Sequence, residues 1–140
     1  MARFLLAACV VATLATGCAG GGSERERLGD LGEELVPPGA EIVETREGSC
    51  PQVAGNPSCV RVFYTAPGSE DERADALEEA ARAAGWEVVS REPRADGILV
   101  ELGREGYRAF VAVWENARAA RCREQPDPAC ADELQVIEDV

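Results

Sequence analysis

The chain has 140 residues, of which 26 are acidic and 14 basic, and its formal net charge is −12 at pH 7. This excess of negative charge argues against nucleic acid and anionic lipid headgroups as partners, because both would repel it. The chain has no histidine and all its basic residues are arginine. It therefore lacks Ser-His, Cys-His and Ser-Lys nucleophile systems, imidazole metal ligands and a lysine for Schiff-base chemistry.

The N-terminus carries a short targeting pattern. Arg3 supplies a positive start, residues 4–14 are uncharged, and three small residues at 15–17 precede Cys18. The apolar run is shorter than the roughly 20 residues that a membrane span needs. This pattern resembles the signal peptide of bacterial lipoproteins. The resemblance implies that residues 1–17 are removed and that an acylated Cys18 anchors the protein at the extracytoplasmic face of the cell membrane.

An ordinary secretory signal cut at the same bond is the alternative, because residues 15–17 also fit the small-x-small cleavage rule. The lipoprotein family usually has leucine three places before the cysteine, where this chain has Ala15. The cysteine count favours the lipoprotein. Cys9 leaves with the signal, and if Cys18 is acylated, the remaining four cysteines can all form disulfides in an oxidising compartment.

Residues 18–38 predict a lipidated cysteine followed by a flexible linker. Glycines at 20–22 and alternating Glu and Arg at 24–27 are typical of a solvated tether. Leucines at helical spacing follow, but Gly29 and Gly32 interrupt them. We therefore expect at most a loose helical turn here rather than a docked helix.

Residues 39–140 predict one small α+β domain. Ser69 and Glu72 form a capping box that starts a helix over 70–84, and Gly85 ends it. Its inner stripe is mostly alanine, so the helix should lie close to a sheet. Alternating apolar patterns predict strands over 41–46, 59–65, 86–90, 98–102 and 107–114. The order ββαβββ indicates a mainly antiparallel sheet of about five strands with one helix on a face.

The four remaining cysteines predict two local disulfides, Cys50 with Cys59 and Cys122 with Cys130, although pairing between the two regions remains possible. A four-cysteine metal site would need closer pairs, so we expect no metal and no cofactor. Beyond Cys122, Asp127-Pro128 and the acidic tail suggest a short solvated helix at the C-terminus.

The aromatic residues of the domain fall in the predicted strands. Since one helix cannot cover both faces of a sheet, some rings could line the helix-free face as a binding surface. We name Tyr64, Tyr107 and Trp114 as the candidates, because amphipathic rings anchor interfaces well. The alternative is that the rings fill the core or pack under the loop and the C-terminal segment.

The helix ending at Ala84-Gly85-Trp86, followed by short strands, is similar to the small lipoproteins of actinomycetes. We expect a non-catalytic interaction module that binds a protein or another envelope component. A structural or accessory lipoprotein with no dedicated ligand is the alternative. An enzyme would depend on carboxylates such as Glu101 and Glu115, and calcium binding would depend on acids such as those at 70–72. We expect neither, because exposed acids are common in a chain this acidic.

Overall fold

The computed structural model describes residues 23–50, 53–55, 57–125 and 127–139. Within these residues the chain forms three helices and six strands in one α+β unit. In chain order the elements are α1 (Glu24–Leu35), β1 (Glu41–Ser49), β2 (Ser58–Thr65), α2 (Glu70–Ala83), β3 (Glu87–Arg94), β4 (Gly97–Arg104), β5 (Tyr107–Trp114), α3 (Asn116–Glu124) and β6 (Asp132–Glu138). The predicted α+β class is confirmed, and the described residues contain one strand and two helices more than the predicted order ββαβββ.

The six strands form a single sheet in the order β1-β2-β6-β5-β4-β3, and every neighbouring pair is antiparallel. The connection through α2 starts at β2 and ends at the far edge strand β3, so it spans three intervening strands. The last strand in sequence, β6, therefore lies in the middle of the sheet, between β2 and β5. This order places the C-terminal segment at the centre of the fold.

The prediction of a C-terminal helix is wrong, because residues 132–138 form the central strand β6. Leu134 and Val136 point to one face and are fully buried, and Ile137 is buried on the opposite face. Asp132, the first residue of the strand, is also buried, with a charged partner described below. The acids had suggested a solvated helix, but β-strand pairing on both sides and burial of the alternating apolar residues decide the conformation.

The linker prediction is also wrong over residues 24–35, which form α1 and pack on the sheet. Ser23 and Glu26 make a capping box, with both reciprocal hydrogen bonds present, and Leu28 and Leu35 are fully buried. Gly32 lies against β2, and a Cβ atom there would come within 3.0 Å of Val62 Cγ2. The glycine that argued against a helix thus allows this helix to approach the sheet closely.

Helix α2 agrees with the prediction. Both capping-box hydrogen bonds between Ser69 and Glu72 are present, and the stripe of Ala74, Leu77 and Ala81 is buried. Together α1 and α2 cover one face of the sheet, and the main core lies between them and the strands. That core consists of Leu28, Leu35, Val60, Val62, Tyr64, Ala74, Leu77, Ala81, Trp86, Ile98, Val100, Leu102, Ala109, Val111, Val113, Leu134 and Val136.

Both predicted disulfides, Cys50–Cys59 and Cys122–Cys130, are present. The second joins α3 to the segment that leads into β6, and its two cysteines form a buried cluster with Phe63 and Ala131. The sequence analysis did not predict α3, whose residues show little apolar periodicity. The signal peptide and Cys18 lie outside the described residues. The part of the chain that the structure describes has no helix long and apolar enough to cross a membrane.

Candidate functional site

Two of the three aromatic residues predicted for a helix-free surface lie on the helix-covered side. Tyr64 is fully buried in the core, and Tyr107 packs against the same core, with its hydroxyl accepting a hydrogen bond from Arg27 Nη1 at 3.3 Å. Tyr64 shares a strand face with Val60 and Val62, and the burial of these valines makes that face the core face. The prediction that Tyr64 and Tyr107 line a binding surface on the helix-free face is therefore wrong.

Trp114 is the candidate that faces the opposite side of the sheet, together with Phe110 and Ala112 of the same strand. Since side chains alternate along a strand, these even-numbered residues of β5 point away from α1 and α2. Leu99 of β4 pairs with Ala112 and points to the same side. The apolar residues of two neighbouring strands thus meet on the face that α1 and α2 leave uncovered.

These side chains line a groove with a volume of about 520 Å³. Its floor is apolar and half-buried, one wall comes from the loop between β1 and β2, and polar groups of β6 border the other side. The lining residues are Val53, Ala54, Leu99, Phe110, Ala112, Trp114, Glu133 and Gln135. The volume lies within the roughly 300–1,000 Å³ that is usual for ligand sites. We call this surface the apolar groove.

Trp114 lines the apolar groove, and Arg118 of α3 stacks on its ring. The guanidinium carbon of Arg118 lies 3.6 Å from the ring centroid, which is the geometry of a cation–π contact. Arg118 Nε also donates a hydrogen bond to the carbonyl oxygen of Ala129 at 2.7 Å, and Nη2 donates to the same oxygen. The loop before β6 therefore holds the guanidinium in place over the ring.

A second cavity of about 290 Å³ adjoins the apolar groove, with Glu133 lining both. Three arginines surround it, and we call it the arginine cavity. Arg46 and Arg61 place their guanidinium carbons 5.1 and 5.2 Å from the centroid of the Phe63 ring. The full lining is Arg46, Arg61, Phe63, Arg118, Asp127, Pro128, Ala129 and Glu133.

Glu133, on the border of the two cavities, is paired within the protein. Its Oε1 atom accepts from Arg61 Nε at 2.7 Å and from Gln135 Nε2 at 2.7 Å, and Arg61 Nη2 lies 2.6 Å away. These donors compensate the carboxylate charge at the centre of the face. The charge of Glu133 is therefore already satisfied before any ligand arrives.

The backbone of Trp114 is held from the helix-covered side by two buried charged residues. Arg73 Nη2 donates to the carbonyl oxygen of Trp114 at 2.6 Å, and the Trp114 amide donates to Asp132 Oδ1 at 3.0 Å. Burial raises the pKa of the Asp132 carboxyl, while its hydrogen bonds from Arg73 and from the Trp114 amide lower it. This carboxyl lies beneath the helices, and its contacts serve to position the groove.

Of the residues at this site, Trp114 was predicted from the sequence, whereas Leu99, Phe110 and Arg118 were not. The period-two pattern of β5 could have linked Phe110 to Trp114, because both occupy even-numbered positions of one strand. Arg118 lies on a helix that was not predicted. Within the described residues no cluster of metal-ligating side chains is found. No protein-family model matches the chain, and no curated protein and no solved structure is significantly similar to it.

Proposed function

We propose that the protein is a lipid-anchored lipoprotein of the cell envelope whose domain is a non-catalytic interaction module, binding a protein or another envelope component. The observation that carries this proposal is the apolar groove. Its half-exposed floor of Leu99, Phe110 and Ala112 lies on a sheet face that α1 and α2 leave open. Apolar surface of this kind, bordered by polar residues, is typical of binding sites.

The groups in the apolar groove favour binding over catalysis. Among the described residues that line it, Glu133 is the one carboxylate, and it is paired with Arg61. Glycoside hydrolysis by acids uses two carboxyl groups on either side of the substrate bond. The carboxylate of Glu101, which the sequence offered for such chemistry, lies 3.4 Å from Arg108 Nη2 in a surface ion pair.

The anchor is supported by the N-terminal sequence pattern and by the cysteine pairing. With both disulfides formed, Cys50, Cys59, Cys122 and Cys130 are all paired, which leaves Cys18 as the free thiol of the mature chain. Four residues separate Cys18 from Ser23, the N-cap of α1. Even a fully extended chain of this length spans at most about 18 Å, so an acylated Cys18 would hold the domain close to the membrane.

The anchor is tested by mass spectrometry of the mature N-terminus and by Cys18→Ser. We expect diacyl or triacyl modification of Cys18 in the native protein and loss of the variant from the membrane fraction. An unmodified Cys18, or a Cys18→Ser protein that still sediments with membranes, contradicts the anchor. Either result would favour the alternative that residues 1–17 are an ordinary secretory signal.

The interaction module is tested by photo-crosslinking in intact cells. A photoreactive phenylalanine analogue replaces Phe110 on the floor of the apolar groove, and in a matched control it replaces Ile42, which is 41% exposed on the edge strand β1. We expect an adduct of defined mass from position 110 and none of that mass from position 42. The same adducts from both positions, or none from either, would favour the structural or accessory alternative.

A further inference from the structure

We infer that the apolar groove and the arginine cavity form one site for an amphiphilic anion, a molecule with an apolar chain and a single carboxylate or phosphate at one end. This inference rests on the proposed function, because it takes the helix-free face as the binding surface. It adds the chemical class of the ligand.

The apolar groove suits the chain of such a ligand. Leu99, Phe110 and Ala112 form a continuous floor across β4 and β5, and Val53 and Ala54 form a wall. All are half-buried except Ala54, which is exposed, so a bound chain would remove much of their remaining surface from water. Burial of this apolar surface favours binding and is opposed by the entropic costs of association.

The guanidinium groups of the arginine cavity suit the anionic end. Three arginines surround it against two acids, Asp127 and Glu133, although the whole chain has a net charge of −12. Glu44, which pairs with Arg46, is a third acid beside the cavity, so the cavity offers a concentration of guanidinium groups next to the apolar groove rather than a net positive charge. A ligand with a negative end would be oriented by charge-assisted hydrogen bonds from a guanidinium group, with its head toward the arginines.

Arg118 is the arginine best placed to bind the head. Arg46 lies 2.5 Å from Glu44, and Arg61 lies 2.6 Å from Glu133, so both already have carboxylate partners. Among the described residues no carboxylate forms a salt bridge with Arg118, whose contacts are the Trp114 ring and the Ala129 carbonyl oxygen. The N–H donors of its Nη1 atom are therefore available for an incoming carboxylate or phosphate.

The two cavities adjoin at Glu133, which lines both, and they also meet through the contact between Trp114 and Arg118. The ring of Trp114 lines the apolar groove, and the guanidinium of Arg118, which lines the arginine cavity, lies directly against that ring. A chain lying in the groove and ending at Trp114 therefore places its head beside Arg118. Of the two acids that line the arginine cavity, Glu133 is paired with Arg61, and Asp127 Oδ1 accepts a hydrogen bond from the Ala129 amide at 2.8 Å. A neutral head would leave the Arg118 donors unused.

The test uses the full acylated protein in discs of zwitterionic phosphatidylcholine, with empty discs as the blank. Decanoate, decyl phosphate and decanol share one chain length and differ in the head, and calorimetry measures their dissociation constants. We expect both anions to bind one to one and decanol to bind about tenfold more weakly, because it lacks the charge-assisted hydrogen bonds. Tighter binding of decanoate indicates a fatty-acid-type ligand, and tighter binding of decyl phosphate indicates a lipid headgroup.

Arg118→Gln should raise the dissociation constants of both anions about tenfold and leave that of decanol unchanged. Arg121→Gln is the matched control, because Arg121 is exposed on the same helix and lines neither cavity; it should leave all three dissociation constants unchanged. Equal dissociation constants of decanoate and decanol for the native protein overturn the inference. Equal dissociation constants of the anions for Arg118→Gln and Arg121→Gln overturn it as well. Absence of binding by all three probes overturns it too.

The crosslinking experiment separates failure of the inference from failure of the proposed function. A position-specific adduct at Phe110 without amphiphile binding overturns the amphiphilic-anion site and leaves the interaction module in place. If position 110 gives no adduct and no amphiphile binds, both the amphiphilic-anion site and the interaction module are overturned.

Discussion

Arg73 of α2 and Asp132 of β6 form a buried ion pair in which Nη1 lies 2.5 Å from Oδ1 and 2.6 Å from Oδ2. Each side chain is 1% exposed. The same two side chains hold both the carbonyl oxygen and the amide of Trp114. An ion pair beneath the helices therefore fixes the backbone of a residue that lines the apolar groove on the other side of the sheet.

Removal of one partner of this pair should strongly destabilise the fold. Asp132→Ala leaves the Arg73 guanidinium buried without its carboxylate, and we expect the free energy of unfolding to fall by about 3–5 kcal/mol in urea denaturation. The double variant Arg73→Met with Asp132→Leu should lose less, because it leaves no buried charge. Glu92→Gln serves as a surface control, since its carboxylate lies 3.0 Å from Arg94 on an exposed strand edge, and should change the value by less than about 1 kcal/mol. Equal losses from Asp132→Ala and from the control would contradict the role of the pair.

Tyr64 should keep its proton until the protein unfolds. Burial raises the pKa of the Tyr64 phenol above its ordinary value of about 10. The folded state thus retains a proton that the unfolded state loses, so the contribution of Tyr64 to stability is complete below about pH 10 and is lost as the pH rises further. We expect the tyrosinate absorbance that distinguishes the native protein from Tyr64→Phe to appear together with unfolding.

Tyr64→Phe should have little effect on stability at neutral pH. The Tyr64 hydroxyl has no hydrogen-bond partner within the described part of the chain, so its removal should change the free energy of unfolding at pH 7 by less than about 1 kcal/mol. Ionisation of the Tyr64 phenol in the folded protein near pH 10 would show that this side chain is accessible to water.

The two glycines of α1 should respond oppositely to substitution. A Cβ atom at Gly29 meets nothing within 4 Å among the described residues, so Gly29→Ala should stabilise the helix by about 0.5–1 kcal/mol. Gly32 lies against Val62, and Gly32→Leu should destabilise the fold by about 1–3 kcal/mol through overpacking. Thermal and urea denaturation of both variants measure the difference. Unchanged stability in both would mean that α1 does not pack on the sheet in solution.

Local sequence signals predicted the elements whose causes are local. The capping box at Ser69 and Glu72 and the short spacing of each cysteine pair depend on residues close in sequence, and the structure has both. The strand β6 could not be predicted in this way. Asp132 is compensated by Arg73, which is 59 residues away in sequence, so its burial is not visible from the acidic tail alone.

The binding face was predictable only in part for the same reason. The alternation along β5 separates Tyr107 from Trp114, but the sequence does not say which face the helices cover. That choice depends on the docking of α1, which the sequence analysis had assigned to a linker. Once α1 and α2 occupy one face, Tyr64 and Tyr107 go to the covered side and Trp114 goes to the open one.

The disulfide Cys122–Cys130 should stabilise both the fold and the position of α3. It closes a short loop, and its removal in Cys122→Ala with Cys130→Ala should lower the free energy of unfolding by about 2–3 kcal/mol in the chain-entropy description. The same loss is expected for Cys50→Ala with Cys59→Ala, which opens a loop of similar length far from α3 in sequence. Amide hydrogen exchange distinguishes the two double variants, because only the first releases the helix that carries Arg118. Faster exchange in α3 for the first variant and not for the second is the expected result; unchanged exchange in both would mean that Phe63 and the bonds from Arg118 to Ala129 hold α3 without the disulfide.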